Sequence, residues 1–305
     1  MRRLTSGRIC TLFLGHGAAG GGVTSTNAHL NTGDDRMADF IYCLNTATIR
    51  PASLMDKITI TAETGYDAIE LWVNDVEDYV EAGGSVGDVA KALDDTGLQR
   101  PSMISLREWC TEDDKQFAEA LDAARRRLEI ARALSVAHIV AGPPGGVIPL
   151  AIATERYENL LEVSLEYGVP ASVEFLGFVK GINTLEDAWA ICGGTGMSEA
   201  TITPDAWHMF RGGSNFKLLE EIPGDHISCF HWNDAVTTPP REEQNDSHRV
   251  FPTDGIMDLK ALADVMRRKD WHGALSLELF NPEYWKRDPR EVAREGLEKM
   301  KRSIA

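Results

Sequence analysis

Ala171-Ser-Val-Glu-Phe175, then Thr184-Leu-Glu-Asp-Ala-Trp-Ala-Ile-Cys192, then Ala200-Thr-Ile-Thr-Pro204: two short apolar segments flank an amphipathic one. The outer pair are a few residues long, apolar-rich and bounded by Gly or Pro, which reads as strand. The inner segment opens on Thr184 with Asp187 three residues later, the pattern of a capped helix start. A strand, a crossover helix and a second strand make a parallel unit. Working outward, the same alternation recurs. Strands are predicted at 40–44, 68–72, 101–105, 138–141, 171–175, 200–204, 227–232 and 274–279. The clearest helical stretches are 52–64, 112–134, 154–167, 184–192, 257–268 and 289–304, with Gly65, Gly97 and Gly168 where a helix C-terminal glycine belongs. Eight such units predict an α/β protein with a (β/α)₈ TIM barrel, a single domain over residues 37–305. No G-x-G-x-x-G follows the first strand, which removes the main support for a dinucleotide fold.

Residues 1–36 differ from the rest. A short apolar piece, 9–14, precedes a Gly-, Thr- and Asn-rich run, a poor match to a secretory signal. The expectation is a flexible N-terminal extension, with Met37 as a candidate start of the barrel. The 305 residues carry 47 acidic and 31 basic side chains, a formal charge of −16. That surface repels phosphate backbones and argues against a nucleic-acid partner. No run of about 18 apolar residues exists, so no membrane span is expected. Five scattered cysteines without a C-x-x-C pair read as reduced thiols of a cytoplasmic protein.

Barrel chemistry sits at the C-terminal ends of the strands. Four successive ends carry metal-type side chains: Glu174, Asp205, His231 and Glu278. Singly, each has a bland reading, a buried ion-pair partner for a Glu or a core residue for the His. Their recurrence at four ends is what favours ligation. Three carboxylates gathered without a counter-charge oppose folding, and one divalent cation resolves that cost. Three oxygens and an imidazole, with no thiolate, suit Mn²⁺, Mg²⁺, Co²⁺ or Fe²⁺ at least as well as Zn²⁺; Mn²⁺ is the first choice. Asn45, Glu70 and Trp72 end the first two strands and are expected at the pocket mouth. His208 lies within reach of a metal-bound oxygen, and Arg249 can clamp a substrate oxygen. The glycine-rich stretch 193–196 falls between a helix and a strand, on the opposite face, and reads as a turn.

The segments Val173-Glu-Phe-Leu-Gly177, Pro204-Asp-Ala-Trp-His208, Phe230-His-Trp-Asn-Asp234, Arg249-Val-Phe-Pro252 and Leu277-Glu-Leu-Phe-Asn-Pro-Glu-Tyr-Trp285 resemble the xylose-isomerase-like sugar phosphate isomerase/epimerase family. The inosose isomerase branch is most similar, sharing also Cys43-Leu-Asn-Thr-Ala-Thr48, Tyr66-Asp-Ala-Ile-Glu-Leu71 and Asn183-Thr-Leu-Glu-Asp187. The resemblance runs from about residue 40 to about 300. It implies a metal held by Glu174, Asp205, His231 and Glu278, with Glu174 and Glu278 as the acid/base pair and His208 and Arg249 on substrate oxygens. Two departures fall in the substrate-facing loop. Relatives usually follow the Arg-Val-x-Pro motif with Gly-x-Gly, where this chain has Thr253-Asp-Gly255. The residue before the Arg, often acidic, is His248.

The expected activity is metal-dependent isomerisation or epimerisation of a keto-sugar or keto-cyclitol, by proton transfer alpha to the ketone. Trp72, Trp109, Phe178 and Trp232 would offer faces to the sugar. If a leaving group sits beta to the ketone, the same abstraction makes the protein a lyase or dehydratase on a 3-keto-glycoside, with a small β-rich partner subunit. An endonuclease-type barrel is disfavoured, since its trinuclear zinc site needs more histidines and the charge opposes DNA. A binding protein with a structural metal is the remaining alternative. The expected partner is a small polyol or keto-sugar, and the family implies a homo-oligomer.

Overall fold

The period of two along a strand sorts these short segments into two faces. Leu44, Ile69, Leu71, Val173, Phe230, Leu275 and Leu277 turn outward into the main core beneath the helices. Cys43, Ala68, Cys229 and Ala274 turn inward and pack together inside the barrel as a plug of small side chains. The next inward positions are polar: Asn45, Glu70, His231 and Ser276 are all fully buried. A floor of small residues under a layer of charged ones can form only where the charges find partners.

The structure, a computed structural model, describes residues 40–305. The strands are β1 (Ile41–Asn45), β2 (Ala68–Trp72), β3 (Met103–Leu106), β4 (Ile139–Ala141), β5 (Ala171–Val173), β6 (Thr201–Ile202), β7 (Cys229–His231), β8 (Asp234–Ala235), β9 (Arg249–Val250) and β10 (Ala274–Leu277). Eight are parallel, in the order β6-β5-β4-β3-β2-β1-β10-β7, while β8 and β9 form a small antiparallel ribbon. The ring closes between β6 and β7 through the isolated bridges Ile202↔Ile227 and Asp205↔His231. Two hydrogen bonds mark that seam, Ser228 N to Ile202 O at 3.1 Å and His231 N to Pro204 O at 2.9 Å. This is a TIM barrel in a single domain.

All six expected helices are present, as Leu54–Glu63, Asp114–Ala133, Leu150–Glu166, Leu185–Gly194, Leu259–Arg268 and Pro289–Ser303. Thr184 and Asp187 form the expected capping box, and Gly65, Gly97 and Gly168 take positive φ. The structure adds Val73–Glu81 and Val86–Thr96 between β2 and β3. The first follows β2 directly with no capping side chain, so nothing in the sequence announces its start. Each buries only two of its residues, and the second opens on a capping box of Ser85 and Asp88 that the sequence does display. The turn expected at 193–196 is corrected. Gly193 and Gly194 complete the helix, where a Cβ on Gly194 would meet the Thr154 side chain at 3.0 Å, and Gly196 makes the left-handed turn.

Four of the predicted strands, 171–175, 200–204, 227–232 and 274–279, overrun at their C-terminal ends, because Glu174, Thr203, Pro204 and Glu278 lie beyond the ladders and Pro204 has no N–H to give one. Cys43, Cys110, Cys192 and Cys229 are buried free thiols. Among the described residues no helix is long and apolar enough to cross a membrane. The extension expected at 1–36, Met37 and Cys10 lie outside the described residues.

Candidate active site

Four strand ends bring Glu174, Asp205, His231 and Glu278 together, with one ligand-type atom of each within 4.8 Å of all the others. His231 Nδ1 faces the three carboxylates, at 2.8 Å from Glu174 Oε1, 3.4 Å from Glu278 Oε2 and 3.6 Å from Asp205 Oδ2. Its other nitrogen, Nε2, lies 3.1 Å from Glu70 Oε2 and 3.2 Å from Oε1. A histidine whose far nitrogen is tied to a carboxylate presents its near nitrogen in a fixed orientation, the arrangement that supports metal ligation. Three buried carboxylates and one imidazole, with no thiolate, fit a divalent metal ion.

Glu70 and Asn45 were expected at the pocket mouth. The structure places both beneath the cluster, fully buried. Their side chains point inward from β1 and β2, toward the barrel axis, where His231 and Ser276 need partners. Glu70 accepts from Asn45 Nδ2 and Ser276 Oγ, each at 2.7 Å. Burial pushes its carboxyl up, but His231 and these hydrogen bonds outweigh that and hold it below the usual range. Asn45 also donates to Glu278 Oε1 at 3.2 Å and accepts from Trp72 Nε1 at 2.9 Å. Asn233, which the sequence reading did not single out, donates to Asp205 Oδ2 at 3.0 Å and accepts from Trp207 N at 2.8 Å. Its position inside the His231-Trp-Asn-Asp234 run was the available signal.

Arg249 is buried, and its Nη1 lies 2.7 Å from both Asp205 Oδ2 and Glu278 Oε2. Asp246 Oδ1 accepts from its Nη2 at 2.7 Å, and the guanidinium lies against Trp207 and Phe280. Burial raises the Asp205 carboxyl, but Arg249 first, then His208 and His231, pull it well below the carboxylate range. Glu278 goes the other way. Burial, with Glu174 and Asp205 nearby, outweighs His231 and Arg249 and pushes it up to about 8. Glu174 is raised as well, chiefly by burial. His231 is held well above its usual value because Glu278, Glu70 and Glu174 overcome its burial. His208 falls to about 4 through burial, so its ring is neutral near pH 7. A neutral imidazole accepts at one nitrogen only. The contacts from Gly177 N to Nδ1 (3.1 Å) and from Arg249 Nη2 to Nε2 (2.7 Å) therefore compete.

Above the cluster opens a cavity of about 470 Å³. Glu174, Glu278, His208 and Arg249 line it, whereas Asp205 and His231 do not. Of the four aromatic residues expected there, Trp72 and Phe178 line it. Trp109 and Trp232 are instead buried, their indole N–H groups spent on Gly142 O and Ser303 Oγ. Phe280, edge-on to Trp72, supplies a face that was not anticipated. A second opening of about 510 Å³ lies against Glu77 and Arg127 and includes none of the cluster. In the loop between β8 and β9, His248 Nδ1 accepts from the backbone N–H of Asn245. Asp234 accepts from the backbone N–H groups of Thr253, Gly255 and Met257. Thr253 sits at φ 76, in the left-handed region that favours glycine.

A family model described as xylose isomerase-like TIM barrel matches residues 58–303. The inosose isomerase of Bacillus velezensis is 27% identical over 259 residues, covering 82% of this chain and 92% of that protein. The 3-dehydroshikimate dehydratase of Pseudomonas aeruginosa is 24% identical over 258 residues, covering 81% of this chain and 39% of that one. Among solved structures, the IolI protein with a bound zinc atom aligns with a TM-score of 0.82 at 23% identity, over 87% of this chain and 98% of its own.

Proposed function

The chain belongs to the xylose isomerase-like TIM barrel family, an enzyme of the isomerase/epimerase or lyase group, and from that premise we propose that it moves a proton alpha to the ketone of a keto-cyclitol or keto-sugar. Glu174, Asp205, His231 and Glu278 would hold one divalent cation, with Mn²⁺ the first to load. When bound there, such a cation would supply Lewis acidity for the negative charge that develops on the ketone oxygen.

The observation that carries the reading is an asymmetry within the cluster. Of its four members, only Glu174 and Glu278 face the cavity, where a bound substrate would meet them. Two carboxylates on the wall of one cavity can take a proton from one carbon and return one to another, which is what an acid/base pair requires. One glutamate takes the carbon-bound proton and the other returns a proton to the adjacent carbon or the opposite face. His208 and Arg249 orient the substrate hydroxyls, and Trp72, Phe178 and Phe280 cover the ring's C–H side and exclude water.

The similarity to a dehydratase favours a second reading with the same first step. A leaving group beta to the ketone would depart after abstraction, giving elimination. The 3-keto-glycoside lyase with a small partner subunit is the form of that reading drawn from the sequence. Incubation of Mn²⁺-loaded protein in D₂O with inososes, 3-keto-glucosides and ketohexoses, followed by NMR, tests both. Deuterium alpha to the ketone with mass otherwise conserved is the result expected for an isomerase, and loss of water or an aglycone marks a lyase. No exchange in any class, with metal confirmed bound, would refute the proposal.

A further inference from the structure

An arginine side chain carries five N–H donors, and in Arg249 each of them faces a partner. Nη1 donates to Asp205 Oδ2 and to Glu278 Oε2, each at 2.7 Å. Nη2 meets His208 Nε2 and Asp246 Oδ1, both at 2.7 Å, and Nε donates to the same Oδ1 at 3.0 Å. The guanidinium therefore reaches a substrate hydroxyl only by sharing an N–H. The unspent polar atom of the Arg249–Asp246 pair is on the carboxylate. Oδ1 takes both contacts from Arg249, and among the described residues no hydrogen bond or ion pair falls on Oδ2. Asp246 lines the cavity with its side chain 34% exposed.

The local sequence holds that carboxylate in place. Asp246–His248 is a single 3₁₀ turn, and the Asn245 side chain closes its start by accepting from Ser247 N at 3.0 Å and Ser247 Oγ at 2.6 Å. His248 Nδ1 accepts from Asn245 N at 3.1 Å, and His248 is not among the residues that line the cavity. Arg249 then enters β9, paired with Ala235 of β8. The cavity wall carries four carboxylates, Glu108, Glu174, Asp246 and Glu278. Glu174 and Glu278 belong to the cluster. Glu108 is exposed and, among the described residues, makes no hydrogen bond or ion pair. Asp246 is the carboxylate outside the cluster that is tied to it, through Arg249.

A carboxylate oxygen only accepts and a guanidinium N–H only donates. Side by side they suit a group that does both, which is a hydroxyl; a ketone, ether, carboxylate or phosphate oxygen has no hydrogen for Oδ2. We infer that Asp246 determines specificity at this site: its free Oδ2 accepts a hydrogen bond from one hydroxyl of the substrate, while Oδ1 holds Arg249 against Glu278. This rests on the proton-transfer reading only for the reaction used to follow it.

The test takes the keto-cyclitol or keto-sugar that exchanges deuterium fastest, with analogues in which one hydroxyl at a time is replaced by fluorine, which cannot donate. Asp246→Asn keeps an oxygen for Arg249 and puts an NH₂ in place of the free acceptor. A hydrogen bond to a charged group is worth about tenfold or more in affinity. The expected result is a rise in KM of about tenfold or more for the parent compound in the variant, with kcat within about twofold. One analogue should show that rise already with the wild-type protein and no further rise with the variant. An unchanged KM overturns the inference. So do equal losses on every analogue or a fall in kcat alone, since those mean that Asp246 only positions Arg249. If nothing exchanges, the proton-transfer reading fails, and inositol titrated by calorimetry into both Mn²⁺-loaded proteins decides Asp246 by itself. Weaker binding by the variant then supports the inference, and equal or absent binding overturns it. Circular dichroism verifies that the variant keeps the fold.

Discussion

Replacing Glu70 with Gln exchanges one oxygen for NH₂ and keeps the shape, yet it should disturb the candidate metal centre. Glu70 Oε2 accepts from Asn45 Nδ2 and Ser276 Oγ. Asn45 cannot flip to accommodate a new donor, because its Oδ1 already accepts from Ala47 N and Trp72 Nε1. The amide oxygen of the substituted side chain must therefore stay on that side, leaving its NH₂ against His231 Nε2. An NH₂ facing Nε2 requires that nitrogen to be unprotonated, which moves the ring proton to Nδ1, the atom that faces Glu174, Asp205 and Glu278. The variant loses one hydrogen bond to a charged group, about 1.5–3 kcal/mol. At about 1.4 kcal/mol per tenfold, that predicts a loss of metal affinity of roughly 10- to 100-fold. Calorimetric titration with Mn²⁺ at fixed pH measures the affinity, and ¹⁵N NMR of the histidine ring reads the tautomer. An unchanged Kd, or an Nε2-protonated His231 in the variant, would refute the reasoning.

Glu278→Gln should lower the rate of deuterium exchange by about 10²–10⁴-fold with the far-UV spectrum intact; near-normal exchange would remove Glu278 from the acid/base pair. Thr253→Gly should raise stability by roughly 0.5–1 kcal/mol, since left-handed strain of about 1–2 kcal/mol at φ 76 is partly offset by glycine's extra unfolded-state entropy; the urea midpoint checks it. Gly255→Ala should cost about 1–3 kcal/mol, because the new Cβ would meet Asp234 Oδ1 at 2.2 Å and Ala235 O at 2.4 Å; an unshifted midpoint contradicts this. Without a cation, Glu278 binds a proton in the folded protein up to about pH 8 but in the unfolded chain only to about 4.5. Its contribution is therefore complete below 4.5 and lost as pH rises through 8. Cation binding displaces that proton, so the increase in Tm produced by Mn²⁺ should be larger at pH 8.5 than at pH 6, and equal increases would contradict the assignment.

Strand identity was legible because each of the eight segments is short, apolar and bracketed by turn residues. Those cues are local and survive in a single sequence. Glu174, Asp205, His231 and Glu278 were legible for a related reason: topology alone brings strand ends to one place, so residue type plus position sufficed. Depth was not. Glu70 and Trp72 both point inward from β2, yet one lies on the floor of the site and the other on its wall. That difference is set by the stagger of neighbouring strands, which leaves no trace in the sequence of either. The helix Val73–Glu81 escaped because it begins without a cap, and Asn233 because its partners, Asp205 and Trp207, come from a different strand end. Trp109 and Trp232 were misplaced for the opposite reason. Their chemistry suits a sugar face, but their N–H groups are committed elsewhere.

The seam between β6 and β7 gives the cluster a mechanical meaning. One of the two bridges that close the barrel there is Asp205↔His231, a pair that contributes half of the candidate ligands. A cation shared by Glu174, Asp205, His231 and Glu278 would tie β5, β6, β7 and β10 at a single point, acting as a rivet across the least-bonded joint of the ring. Since such an ion binds only the closed ring, its free energy of binding is added to the work needed to part the staves. Hydrogen exchange at the Ser228 and His231 amides would register that work directly, slowing as the cation is added while the β1–β2 joint on the far side stays unchanged.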